Sequence, residues 1–583
     1  MNLQARFPGG VWLLDTEFHP TNGVEGNLPH VVCLVAREHF SGRTFQLWQD
    51  ELAQLDAPPF PIDDTALVVC FYASADVGAF LALGWRPPVN LLDLFVAFRI
   101  ATNGRRLIHG TSLIGALAFF DVGSIGAAKK DLNRDLVMRR GPWTMRERDQ
   151  ILEYCLSDTV VLGPLLDKMA PFIDWPRILL HSNFSTAAAH IEHSGVPIDL
   201  PTYKALLANW TPMQLQLITE IDKHYGVFEG AAFRRAKFEA YLMRWGIAWP
   251  RLTSGQLDLA DDTFKSMAQA HPQLAMLREL RTYLSQMRAL KLAVGEDGRN
   301  RCLLSIFRAT TGRCQPSTTR FIFGPSTWLR GLIKPKEGYG VAYIDWSQQE
   351  FGIAAALSGD QNMMDAYRSG DPYLSFAKQA GAVPPDATKR SHPGERELFK
   401  QCILATQYGM AAESLATRIN KPRAYATELL RQHRRTYSVF WSWSERVVNH
   451  GLLSGQLWTV FGWRLRVGSE PNVRSLQNFP MQANGAEMLR LACLSLSSSG
   501  IRVVAPVHDA LLIEAPLSEL DDAVARTQAI MKAASAAVLN GFELNSDAKI
   551  VRYPDRYMDP RGVGMWNTVM GLLGLTDRAV SDV

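Results

Sequence analysis

Few cysteines are spread over the chain, and none lies near a second in a ligand-like spacing. Seven occur in 583 residues, Cys33, Cys70, Cys155, Cys302, Cys314, Cys402 and Cys493, with no C-x-x-C pair. This excludes a zinc ribbon or a disulfide framework and fits free thiols in a reducing compartment. Long apolar runs are also missing. No stretch approaches the roughly 20 residues needed to cross a bilayer, so no membrane partner is expected. The opening residues, MNLQARFPGG, lead into the strand-like VWLLD without a signal-peptide pattern, and the expected location is cytoplasmic. Internal repeats and low-complexity tracts are absent, which sets aside solenoid and tail-like architectures. Neither sign of charge dominates: the net charge is +4, too small to argue by itself for a polyanionic partner.

What is present is the composition of a globular protein, 47% apolar and 20% charged, in a chain too long for one core. Length predicts about three or four folding units. The first ~170 residues alternate short apolar strands (VWLLD, VVCLVA, ALVVC) with helical stretches, the pattern of an α/β domain. From about Leu200 to Lys291 helical patterns dominate, ending in LAMLRELRTYLSQMRALKLAV, whose apolar residues recur at helical spacing. Residues 231–301 carry 12 Lys and Arg (Arg234, Arg235, Lys237, Arg281, Arg288 and Lys291 among them) against 7 Asp and Glu. Such a surplus suits phosphate binding by counterion release, and equally a solvated helical face. After a Gly/Thr/Ser/Pro-rich connector, TTGRCQPSTTRFIFGPS, comes a strand, GVAYID. A further helical region reaches about Ser454, and the last third holds the clearest hairpin, VVAPVHDALLIEA.

Asp345 ends the strand GVAYID ahead of a helical WSQQEFGIAAAL, and Asp509 sits at the hairpin turn. Taken singly, each reads first as a cap or turn residue. Together, a carboxylate at a strand end and another at a nearby turn can share one metal cluster, as phosphoryl transfer requires. Between them GERELFKQCILATQYGM begins after His392-Pro393, a helix-start signal. Its Arg396, Lys400, Leu404 and Tyr408 are spaced by four and lie along one face. Two cations and a phenol on one face could hold a triphosphate and cover its base.

These residues resemble the family A DNA polymerases, the group of bacterial DNA polymerase I and its phage relatives. IDWSQQE is similar to the family's first palm motif, RELFKQCILATQYG to its fingers helix and VHDA to its second palm motif. TTGR (310–313), TVFGWRLR (459–466) and RSLQNFPMQ (474–482) resemble three further family segments. The resemblance implies that Asp345 and Asp509 bind two Mg²⁺ ions, with Mn²⁺ as an alternative, and that Arg396 and Lys400 contact the phosphates of an incoming dNTP. It implies that Tyr408 stacks near the nascent pair and that Glu350 crowds the 2′ position of the sugar. Arg313, Arg474, Asn478 and Gln482 match positions that touch the minor groove of primer-template DNA, where every correct pair presents the same acceptors. His508 is implied near the primer end. The sequence departs from the family at Leu404, where Phe or Tyr is usual, at Ala510, where Glu is usual, and at Trp346 and Gln349. None removes a metal ligand or main phosphate contact, so an active, phage-type enzyme is expected, in a bacterial or infected-host cytoplasm.

Near the N-terminus, Asp15 and Glu17 in WLLDTEF are two apart at a strand end, so both point the same way and can grip one metal. Asp76 follows in VVCFYASADVGAF, and Tyr154 and Asp158 in ILEYCLSDTV share a helix face. This set resembles the DEDDy exonucleases found beside family A polymerases, in which the acids hold two metals and the Tyr orients the attacking water. Tyr72 stands where the family often has Asn. With nothing before this domain, no 5′-nuclease unit is expected.

The resemblance therefore implies an α/β multidomain protein: a ribonuclease H-like 3′→5′ exonuclease domain at 1–175, then a right-hand polymerase domain. The latter divides into the thumb and start of the palm at 176–330, the first palm carboxylate at 331–360, fingers at 361–465 and the remaining palm at 466–583. A monomer is expected, and no processivity partner is indicated. Two alternatives stay open: a single-subunit RNA polymerase, against which Glu350 and the exonuclease set weigh, and a polymerase-like binder that has lost synthesis, in which Asp345, Asp509 or Lys400 would be substituted.

Overall fold

The computed structural model describes residues 2–123, 127–287, 290–407 and 409–575. The chain divides into two compact units, one of Met1–Gly195, Leu303–Gln315 and Val341–Ile550, the other of Val196–Cys302, Pro316–Gly340 and Val551–Val583. These are fewer than chain length suggested, because one continuous hydrophobic core runs through the first unit from Leu3 to Leu544.

The apolar runs near the N-terminus become strands, as their β-branched composition dictates. Five strands form a sheet in the order Thr44–Trp48, Pro29–Glu38, Gly10–Pro20, Ala66–Cys70, Leu91–Asp93. The first three are antiparallel, and the last two run parallel to Gly10–Pro20. Val11 to Leu14 are all buried, the continuous apolar run of a strand covered on both faces. Helix Met145–Met169 opens with a capping box at Thr144 and Glu147 and packs on the two central strands.

A second sheet has the order Arg502–Val507, Ala510–Pro516, Tyr339–Trp346, Ser546–Arg552. The anticipated hairpin is present, with Val507 opposite Ala510 across a two-residue turn. His508 there has φ of 57°, the left-handed geometry such turns demand. Beside this sheet lies the 26-residue helix Val473–Ser498, and residues 361–454 supply a run of helices that includes Pro393–Gln407. The five-stranded α/β part and the four-stranded, helix-backed sheet thus share one unit.

Helix Trp175–Ser194 joins the two parts, packing on Ala73–Ala82, on Val473–Ser498 and on Arg502–Val507. At its centre Glu487, 1% exposed, receives hydrogen bonds from Thr459 Oγ1 (2.7 Å) and His181 Nε2 (3.1 Å) and pairs with Arg490 (2.8 Å). Burial would push this carboxyl up, but Arg490 and then His181 hold it down at about 2. The charge is thereby kept ionised in the core.

The second unit is mainly helical, with Leu200–Asp222, Arg235–Arg244, Asp261–Ala270, Ala275–Gln286 and Val563–Leu572. The amphipathic pattern expected to run through Val294 stops at Gln286. Val294 instead bridges Asn300, and Ala293 N–H donates to Arg320 O, so tertiary pairing overrides helical periodicity there. Part of the basic surplus is neutralised: Arg234 and Lys237 both pair with Glu229, and Arg251 with Glu239. Among the described residues no helix is long and apolar enough to cross a membrane.

Candidate active sites

The sheet order brings Asp345 and Asp509 together. Trp346 N–H donates to Asp509 O (3.2 Å), which fixes the hairpin turn against the end of Tyr339–Trp346, and the two carboxyls lie close enough to act on each other electrostatically. Burial, then Asp509 and Asp547, push the Asp345 carboxyl up to about 7. Burial also raises Asp509, opposed by the nearby charges of Arg313 and His508. Oδ1 of Asp345 is buried without a hydrogen-bond partner. Two acids crowded in this way form a donor pair whose ionised form a bound cation would favour.

Asp547 was not singled out from the sequence. Ser347 N–H donates to Asn545 O (2.9 Å) and Tyr553 N–H to Tyr339 O (3.1 Å), bonds that fit one antiparallel register with Asp345 opposite Asp547. Opposed residues share a face with Cβ atoms roughly 5 Å apart. The Asp547 carboxylate accepts from Ser347 Oγ (2.6 Å) and remains exposed. No short motif signals it, because only the register of two strands separated by 200 residues of chain creates the proximity. Ala510, where the family has an acid, is fully buried.

Arg313 meets Glu350 at 3.3 Å, so these two join the Asp345–Asp509 neighbourhood. Arg474, Asn478 and Gln482 occupy successive turns of helix Val473–Ser498, on one face. Arg474 is exposed, the other two half-buried. The fingers-like helix ends near them: a Cβ at Gly409 would lie 3.1 Å from Arg474 Cγ, and φ there is 62°. Tyr408 lies outside the described residues. Arg396 bonds Asp371 and stands over the Tyr373 ring, while Lys400 pairs with Glu397 at 3.4 Å. Leu404 is half-buried on the same helix, and His508 is exposed at the turn. The cations of this helix are engaged locally, and among the described residues neither contacts the palm carboxylates.

In the first sheet Asp15, Glu17 and Asp158 present carboxylate oxygens within 4.8 Å of one another, a grouping able to hold a metal ion. Tyr154 stands beside them: burial, then the charges of Glu17, Asp158 and Asp15, push its phenol well above its ordinary value. Asp76 is not part of that group. It is 4% exposed and accepts from Thr16 Oγ1 at 2.8 Å, and burial pushes its carboxyl up to about 7. Thr16 alternates with Asp15 and Glu17 along the strand, which draws Asp76 away from their side. Tyr72 adopts φ of 74° just before helix Ala73–Ala82, its N–H donating to Asp93 and its ring edge-on to Phe95.

Comparison with known proteins bears on both sites. Residues 250–550 match the sequence pattern of DNA polymerase family A. The thermostable DNA polymerase I of Thermus thermophilus is 25% identical over 389 residues, covering 60% of this chain and 45% of that protein. The DNA polymerase I of Aquifex aeolicus is 23% identical over 432 residues, 67% of this chain and 73% of that one. The chain thus spans about half the length of the Thermus relative. The POL domain of Pol1 from M. smegmatis, solved in complex with DNA primer-template and dNTP, shares the fold with a TM-score of 0.73 at 19% identity, over 94% of this chain and 96% of that one. With more than half of its length matched, and with the paired palm carboxylates where the family motifs lie, the chain belongs to DNA polymerase family A.

Proposed function

We propose that this protein is a template-directed DNA polymerase that extends a primer 3′ end with dNTPs and carries a separate 3′→5′ proofreading site in its first 175 residues. The observation that carries the reading is the juxtaposition of Asp345 and Asp509, with Asp547 across the strand pair. The donor set is all carboxylate oxygen, which suits hard divalent ions such as Mg²⁺, or Mn²⁺, rather than zinc or copper. Such ions, when bound, supply charge neutralisation at the attacking and leaving oxygens of an in-line displacement.

The chain's own residues do the rest. Asp345 and Asp509, ionised, would hold those ions as carboxylate donors. Lys400 and Arg396 release Glu397 and Asp371 to neutralise the triphosphate, exchanging half-exposed ion pairs of small worth for charge-assisted phosphate bonds. Arg313 holds Glu350 at the sugar position, which favours deoxynucleotides, while Arg474, Asn478 and Gln482 track the minor groove. The 231–301 stretch grips duplex backbone as a thumb. In the N-terminal site Asp15, Glu17 and Asp158 form the ligand group, Tyr154 orients the attacking water, and Asp76 contributes from behind Thr16. The primer-template and dNTP held by the M. smegmatis domain support the choice of partners. The departures at Trp346, Gln349, Leu404 and Ala510 support a phage-type enzyme.

Extension and degradation of a labelled primer-template with Mg²⁺, using each dNTP and rNTP, tests the proposal. Metal-dependent extension with dNTPs alone is expected. Efficient rNTP incorporation would favour the RNA polymerase reading, and binding without product would overturn synthesis.

A further inference from the structure

A cavity of about 530 Å³ opens between the C-terminal end of helix Leu94–Thr102, the Ala170–Phe172 turn and the hairpin strands Gln456–Trp458 and Arg464–Arg466. It shares no residue with either carboxylate cluster. Arg105, Arg464 and Arg466 line it, and among the described residues none of the three pairs with a carboxylate. Among the described residues of its wall Asp174 alone is acidic, and it is taken by Arg177 at 2.6 Å.

Three uncompensated guanidinium groups around one hollow repel one another. Burial and then the charges of Arg105 and Arg464 lower the pKa of Arg466. The backbone prevents the cluster from relaxing. Arg466 N–H donates to Asn103 O (3.0 Å), Asn103 Nδ2 to Arg464 O (2.8 Å), and Arg466 Nε to Ala101 O (2.8 Å). Gly104, at φ 87°, lies so close that a Cβ would meet Arg466 O at 2.1 Å. Fixed like charges in a concave wall create a standing positive potential that an anion would offset.

The rim is aromatic and exposed. Phe172 is 79% exposed, Trp458 52% and Phe119 39%. Exposed rings beside arginines make a stacking platform for bases over a grip for phosphates, and the volume falls in the range of small-ligand pockets. We propose that this cavity binds a nucleotide, its phosphate among Arg105, Arg464 and Arg466 and its base on Phe172 or Trp458. The nucleotide belongs either to a single strand of DNA or to a free nucleoside phosphate. The proposal does not rest on the polymerase or exonuclease reading.

Photocrosslinking of the full chain tests it, with a 5-bromodeoxyuridine oligonucleotide of about 12 nucleotides and, separately, with 5-bromodeoxyuridine monophosphate. Crosslinks are mapped by mass spectrometry. Adducts on the peptides carrying Phe172 or Trp458 are expected, reduced about tenfold by Arg105→Glu, a change of roughly one lost charge-assisted contact, and persisting in Asp345→Ala and Asp15→Ala. Adducts with the oligonucleotide alone identify the single strand as ligand; adducts with the monophosphate as well identify the free nucleotide. Primer extension by Arg105→Glu should match the parent. Should Arg105→Glu fail to fold, Phe172→Ala, at an exposed position, serves in its place and should lose the Phe172 adduct and weaken that at Trp458. No adduct on either peptide, or adducts unaffected by the substitution, would overturn the proposal.

Discussion

The two acidic clusters are built on opposite plans. Asp15 and Glu17 are neighbours on one strand and need only Asp158 from a helix to close a group within 4.8 Å. Asp345, Asp509 and Asp547 each come from a different strand or turn of a four-stranded sheet, and no two are close in sequence. The first cluster is thus largely a property of strand alternation. The second exists only when the sheet has its native order and register. Local spacing makes one site legible and robust, whereas long-range pairing makes the other dependent on the whole fold.

The largest effect should separate the clusters outright. Asp345→Ala or Asp509→Ala is expected to lower primer extension by about 10³-fold and to leave 3′-end degradation intact, with Asp15→Ala doing the reverse. Equal loss of both reactions from one substitution, measured on a labelled mismatched primer-template, would erase the distinction. The junction between the two parts of the first unit comes next. Glu487→Gln leaves Arg490 buried and unpaired, at a cost of about 3–5 kcal/mol. A thermal melt should show a drop of many degrees and loss of both activities together; an unchanged melt would mean that the two parts hold together without this network.

Asp547→Asn sharpens the comparison within the palm. Extension at low Mg²⁺ should fall about 10–100-fold, the range for a residue that supports metal ligands, and recover as Mg²⁺ is raised. A defect that no metal concentration repairs would make Asp547 a structural residue only. The smallest effect concerns the helices beside the palm. His433, 2% exposed, accepts from Trp441 Nε1 at Nδ1 (3.1 Å), so its other nitrogen carries the proton and faces Thr406 (3.2 Å). Burial and then Arg434 push its pKa down to about 3. The unfolded chain takes up a proton near pH 6.5 that the folded one refuses, so stability is full above that value. It declines by up to about 1.4 kcal/mol per pH unit from 6.5 toward 3. Denaturation of His433→Gln between pH 5 and 7 should remove part of that slope; an unchanged slope would acquit His433.

Much of the fold was readable because apolar runs and caps act locally. VWLLD, VVCLVA, ALVVC, GVAYID and the VVAPV–ALLIEA hairpin all became strands, and the helix after His392-Pro393 formed as its start signal indicates. What escaped depends on distant partners. The helix halted at Gln286 because residues 293 and 294 pair elsewhere. Asp547 sits on a strand with a mostly exposed, polar pattern that marks it as surface until its opposite neighbour is known. The acids that engage Arg396 and Lys400 are likewise invisible in the motif: Glu397 lies within the helix but reads as filler, and Asp371 lies 25 residues upstream. Asp76 was grouped with Asp15 and Glu17 by order along the chain, yet its hydrogen bond goes to the residue between them.

Neither compact unit is made from one continuous stretch, since the chain leaves and re-enters each of them. On a ribosome, residues 1–195 would emerge well before the segment through Ile550 that completes their unit, and the other unit would wait for the C-terminal segment from Val551. Nascent chains therefore pass through a long interval with half-built cores exposed, and removal of the final 30 or so residues would strand a unit whose other segments were made hundreds of residues earlier.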